Sequence, residues 1–123
     1  MFITQHISTI LYVTGAITAL PILQFVIPQT FVQKMFQLDI NDAAGLFFAR
    51  HWGFVVFVLG GLLIYAGAEP SIRFPIVLAV LAEKLVLVVM ILTNPQVRKG
   101  MMLTMIFDGT CVLLYALYLT GLA

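Results

Sequence analysis

The sequence predicts an all-α membrane protein: an antiparallel bundle of four transmembrane helices, with a short interfacial helix after the first. Three observations predict it. The 123-residue chain is 63% hydrophobic and 9% charged, with mean hydropathy +1.14. A soluble domain carries about 25% charged residues and could not hide so much apolar surface. The stretch 74–93, FPIVLAVLAEKLVLVVMILT, is apolar except for Glu83, Lys84 and Thr93. At about 1.5 Å per residue, a helix of that length crosses a hydrocarbon layer about 30 Å thick. Short polar links separate this stretch from three other apolar ones, so consecutive helices are expected to be antiparallel neighbours in one membrane domain, residues 1–123.

The first span is expected over residues 6–27. The N-terminal residues lack a basic run, so this segment reads as a retained span and not a cleaved signal. Pro21 should kink or end its helix. Gly15 and Ala19 form a small-xxx-small pair that lets another helix approach. Thr14 and Thr18 can bond back to carbonyls of their own helix.

Residues 28–45 form the one long polar connection, with an interfacial segment at about 29–40. Phe31, Val32, Met35, Phe36 and Leu38 fall mostly on one side of a helical wheel, and Gln33, Lys34 and Gln37 on the other. This predicts a short amphipathic helix at the membrane interface. Asp39 or Asn41 is a candidate N-cap for the next span, and Asp42 sits where a helix N-terminus favours negative charge.

The second span is expected over residues 43–66. It carries Arg50, His51 and Trp52 near its start. Gly53, Gly60 and Gly67 recur every seven residues, a small-residue face suited to helix association. The third span, 74–93, follows a tight link containing Pro70 and ends before Asn94-Pro95, because proline disfavours helix at the preceding residue. In the fourth span, 101–119, Thr104, Asp108, Cys111, Tyr115 and Tyr118 recur at three- and four-residue steps, a polar stripe along one face.

Lys34, Arg98 and Lys99 lie in the first and third links and only Arg73 in the second. The positive-inside rule then places links one and three in the cytoplasm and both termini outside, across an inner (plasma) membrane. Tyr12, Tyr65, Tyr115 and Tyr118 would form a lopsided aromatic belt toward the outer side.

The candidate site is the set of ionisable groups at membrane depth: Arg50, His51, Glu83, Lys84 and Asp108. Each is costly in hydrocarbon unless paired, neutralised or facing a wet cavity. Counting along the helices puts Arg50 and Asp108 at similar depth, about 10 Å from the same side. The expected cluster pairs Arg50 with Asp108, Glu83 or both, with His51 and Thr104 beside it. Successive helix residues point about 100° apart, so Glu83 and Lys84 cannot both face one partner.

No metal site is expected: His6 and His51 have no ligand spacing, and the single Cys111 cannot build a thiolate cluster. No nucleophile–base pair is recognisable. The net charge of +1 argues against a nucleic-acid partner.

Two functions fit. In the first, the protein is an accessory or scaffold subunit, or a homo-oligomer, associating through Gly53, Gly60 and Gly67 with Glu83 or Lys84 as a polar contact. In the second, it binds a hydrophobic ligand, a quinone or a lipid, between spans two, three and four, as a proton-coupled transporter or redox-enzyme component. The residues themselves imply no cofactor.

The proline-terminated first span (Pro21, Pro28), the segment PQTFVQKMFQLDIND, the opening FFARHWG of span two and the link at Arg73–Pro75 resemble the DoxX-like group of small four-helix bacterial membrane proteins. That resemblance implies a compact antiparallel bundle and, for some relatives, association with quinone-linked oxidoreductases. A second similarity, to small four-helix scaffolds of sterol-synthesis enzymes, rests on size and on Ala49-Arg50 followed by Gly53.

Overall fold

A computed structural model describes residues 2–121, which are helical with no β-strand among them. The helices are α1 (Phe2–Gln5), α2 (Ile7–Ala19), α3 (Ile22–Val26), α4 (Pro28–Phe36), α5 (Ala43–Ala68), α6 (Arg73–Leu92), α7 (Pro95–Arg98) and α8 (Met102–Thr120), with a 3-10 turn at Pro70–Ile72 before α6. Four segments are long and apolar enough to cross a membrane: Ile7–Val26, Ala43–Ala68, Pro70–Leu92 and Met102–Thr120. Large apolar side chains such as Phe47, Phe48, Phe74 and Leu103 stand exposed on them, as a lipid-facing surface requires.

Proline punctuates the first span as its missing N–H dictates. α2 stops at Ala19, and α3 restarts with Pro21 as its N-cap. Pro28 opens α4 at a position where no N–H is needed. α4 is shorter than the expected interfacial segment. It closes at Gln37, whose φ of 57° lies in the left-handed region, and residues 37–41 are irregular. The next helix is capped by Asp42, whose Oδ2 accepts the Gly45 N–H at 3.0 Å. Asp39 and Asn41 do not cap it, because they lie in the irregular stretch before the extended residue that precedes α5.

α2 and α3 lie against α5, and the recurring glycines are the reason they can. A Cβ on Gly60 would come within 2.5 Å of the Ala19 nitrogen and 2.6 Å of the Gly15 carbonyl oxygen. One on Gly53 would meet the Pro21 carbonyl at 2.7 Å, and one on Gly67 the Tyr12 ring at 2.9 Å. Seven residues make about two helical turns, so the three glycines stay on one face. That face is therefore filled by the chain's own first span.

Span two ends on Ala68, two residues later than expected. A helix leaves its last carbonyls without intrahelical donors, and Arg73 from the following helix supplies them. Its Nε donates to the Ala66 carbonyl at 2.8 Å and its Nη2 to the Gly67 carbonyl at 3.0 Å and Ser8 Oγ at 3.2 Å.

α6 packs on α8 and on α5. The buried core gathers Ile7 and Leu11 from the start of α2, Leu63 and Ala66 from the end of α5, Val77 and Val80 from the start of α6, and Cys111 and Tyr115 from the middle and second half of α8. Tyr115 is fully buried, which removes it from the expected aromatic belt; Tyr12 and Tyr65 are exposed. The Tyr115 hydroxyl donates to Thr14 Oγ1 at 2.6 Å, and Thr14 donates in turn to the Ile10 carbonyl at 2.7 Å.

Candidate functional site

The other ends of the same four spans do not close. Between them lies a cavity of about 330 Å³. Thr18, Pro21 and Gln24 line it from span one, Phe31 and Phe36 from α4, Trp52 and Val56 from α5, Glu83, Lys84 and Leu87 from α6, and Thr104, Phe107 and Asp108 from α8. The walls are aromatic and aliphatic except for this handful of polar groups. That is the usual composition of a small-molecule pocket.

α6 sets the polar wall. Its buried residues are Val77, Val80, Lys84 and Ile91, an inward stripe at helical spacing. Lys84 thus occupies a core position. Its Nζ donates to Asp108 Oδ1 at 3.0 Å, the side chains being 3% and 7% exposed, and lies 4.9 Å from the centre of the Phe107 ring. Asp108 stands on the polar stripe of α8 that also buries Cys111 and Tyr115.

Glu83, one residue before Lys84, points elsewhere, as the helical offset demands. It is half-buried, and its Oε1 is buried without a hydrogen-bond partner. A second such atom is the Thr18 hydroxyl, on the same cavity. In a helix a threonine hydroxyl satisfies itself by bonding the carbonyl four residues back. Thr14, Thr93, Thr110 and Thr120 all do so, to Ile10, Val89, Ile106 and Ala116. Thr18 was expected to do the same and does not, although it is only 3% exposed. Among the described residues the one other buried unpartnered side-chain atom is Arg98 Nε, in the link after span three.

Of the five candidate ionisable residues, three meet here: Glu83, Lys84 and Asp108. Arg50 and His51 do not. Arg50 is exposed; its Nε donates to the Phe25 carbonyl at 3.1 Å and its guanidinium carbon lies 5.2 Å from the centre of the Phe25 ring. The expected pairing of Arg50 with Asp108 or Glu83 is thus replaced by Lys84 with Asp108. The reason is direction, not depth: Arg50 precedes Gly53 by one turn, on the side of α5 that meets α3, where carbonyls at a helix end seek donors. His51 is exposed and lines a separate hollow of about 400 Å³ with Phe25, Ala43, Leu46, Phe47 and Arg50.

Several lining residues escaped the sequence. Gln24 is 4% exposed and donates through Nε2 to the Ala49 carbonyl at 2.6 Å, tying span one to span two beside the cavity. Phe31 and Phe36 come from α4 and Trp52 from α5, and nothing in the sequence spacing joins Trp52 to the other two. Thr18 carried a visible signal, a hydroxyl four residues from Thr14 on a helix face rich in small residues.

Among the described residues no three His, Cys, Asp or Glu side chains are grouped to hold a metal ion. Cys111 is a free thiol buried in the core, 1% exposed. The arrangement offers hydrogen bonds and charge to something within an apolar chamber. No protein-family model, curated protein or solved structure matches the chain.

Proposed function

We propose that the protein binds a small hydrophobic molecule with a polar head inside the membrane, in the chamber lined by Thr18, Trp52, Glu83 and Phe107. The observation that carries this is that Glu83 and Thr18, each with a buried oxygen (Oε1 and Oγ1) that has no hydrogen-bond partner, both line one otherwise apolar cavity. An unsatisfied polar atom at membrane depth is costly, and a ligand head is what would satisfy both. The apolar body would lie against Leu87, Val56 and the aromatic walls.

The working arrangement is an antiparallel four-helix bundle. It is supported by the core, which draws on the starts of spans one and three, the end of span two and the middle and second half of span four. Links one and three then share a side, the cytoplasmic one by their Lys34, Arg98 and Lys99, in an inner membrane. α4 would lie at that interface, with Phe31 and Val32 buried and Lys34 exposed. A DoxX-like quinone-associated role is compatible with such a chamber. The alternative role, an accessory or self-associating subunit, loses its main surface, because Gly53, Gly60 and Gly67 are covered by span one.

Native mass spectrometry of the protein extracted in its own lipids tests this. The protein should carry a discrete small-molecule mass, and Thr104→Phe, which fills the chamber, should remove it. A protein that carries none, or that keeps the same mass after the chamber is filled, overturns the proposal. A stable dimer or a co-purifying subunit without the small molecule would restore the accessory role.

A further inference from the structure

We infer that the ligands of this chamber are lipophilic organic cations: an ammonium-type head on an apolar body. This rests on the ligand-binding function proposed above and names its chemical class. Three features of the chamber point the same way.

The first is charge. The ionisable residues lining the chamber are Glu83, Lys84 and Asp108, two carboxyl groups against one ammonium. Lys84 is committed to Asp108 at 3.0 Å. Arg50 turns to Phe25, and Arg98 donates to the Leu92 carbonyl. Among the described residues no cation forms a salt bridge with Glu83: the ammonium beside it, Lys84, is bonded to Asp108. A carboxylate among apolar walls needs an opposite charge more than it would in water. A cationic head supplies it, whereas an anionic head adds repulsion.

The second is the aromatic lining. Phe31, Phe36, Trp52 and Phe107 contribute to the wall. Aromatic faces attract cations through their quadrupoles, and a set of them around one carboxylate is the usual means of recognising an ammonium head. The chain already does this once within itself: Lys84 Nζ lies 4.9 Å from the centre of the Phe107 ring.

The third is the Thr18 hydroxyl. It is free of its own helix and lines the chamber with Glu83. A hydroxyl oxygen with open lone pairs can accept an N–H, though less strongly than a carboxylate does. A protonated amine brings several N–H donors and can serve both oxygens, while a quinone carbonyl accepts only and leaves Glu83 without a donor.

The test uses three probes that share one chain and differ in the head: decylammonium, decanol and decanoate. They are titrated into the full-length protein in nanodiscs of zwitterionic lipid. Saturable change in emission of Trp52, the sole tryptophan, which lines the chamber, reports binding. Decylammonium should bind about tenfold or more tighter than decanol, as expected of a cation meeting an unpaired carboxylate, and decanoate should not saturate. Glu83→Gln should bring decylammonium to within about threefold of decanol, a residual left to the aromatic walls. Glu83→Asp keeps the charge and should keep the preference, which separates loss of charge from loss of fold. Equal binding of ammonium and alcohol by the native protein, or a preference that survives Glu83→Gln, overturns the cationic class while leaving a ligand chamber. Absence of saturable binding by all three probes overturns the chamber as a binding site, and the cationic class with it.

Discussion

Lys84 Nζ and Asp108 Oδ1 face each other at 3.0 Å across the contact between α6 and α8, almost wholly out of solvent. The pair is an internal fastening between spans three and four, and it leaves Glu83 to the chamber. A buried ion pair contributes little net stability over apolar residues of similar size, yet removing one partner strands the other. Lys84→Met and Asp108→Leu should each lower stability by about 3–5 kcal/mol, and the double substitution should recover most of that loss. Reversible unfolding in detergent, run as a double-mutant cycle, measures the coupling. Additive losses would mean that the two groups do not depend on each other.

Adjacent glycines on α5 should respond oppositely to one added methyl. Gly60 is pressed against the backbone of Ala19 and Gly15, whereas a Cβ on Gly61 would meet nothing within 4 Å. Gly60→Ala forces α2 away from α5 and should cost about 1–3 kcal/mol. Gly61→Ala should be neutral or stabilising by up to about 1 kcal/mol, since alanine is the better helix former. Thermal unfolding of the two variants side by side reads the difference. Gly60→Ala should also leave the oligomeric state as it is, because the crowded face lies within one chain.

Arg50 should matter less than its charge and depth suggest. It is exposed and engages a carbonyl and a ring of Phe25, so Arg50→Gln should cost no more than about 1 kcal/mol. Membership of the buried cluster would instead make the loss comparable to that of Lys84→Met, and the two variants can be unfolded under the same conditions.

That contrast marks where the sequence was legible. The breaks at Pro21 and Asn94-Pro95, the glycine face of α5 and the polar stripe of α8 are local patterns, and each fixes a face or an end by itself. Depth was countable too, and it put Arg50 and Asp108 at one level. Azimuth was not countable on α6. A helix that is apolar on every side offers no contrast between its inward and lipid-facing faces. The row Val77, Val80, Lys84 and Ile91 becomes an inward stripe only once its neighbours are in place. Depth alone favoured Arg50 as the partner of Asp108, and direction gave the position to Lys84. The chamber was hidden for a related reason: Thr18, Trp52, Glu83 and Phe107 reach it from four different spans.

The bond between Tyr115 and Thr14 joins the two terminal spans, and its energetics should be asymmetric. The phenol donates at 2.6 Å to a hydroxyl that itself donates to the Ile10 carbonyl. Tyr115→Phe removes the donor, and Thr14 keeps its bond to its own helix, so the loss should be about 0.5–1.5 kcal/mol. Thr14→Val removes the acceptor instead. The Tyr115 hydroxyl then stays in a side chain with no exposure, and an unsatisfied buried group costs about 1–3 kcal/mol. Replacing both at once leaves no orphan, so the double variant should be no less stable than Thr14→Val alone. Unfolding midpoints of the three variants give the order. If Thr14→Val proves milder than Tyr115→Phe, the hydroxyl has found another acceptor, and the terminal spans are held by packing around Leu11 and Cys111 and not by this bond.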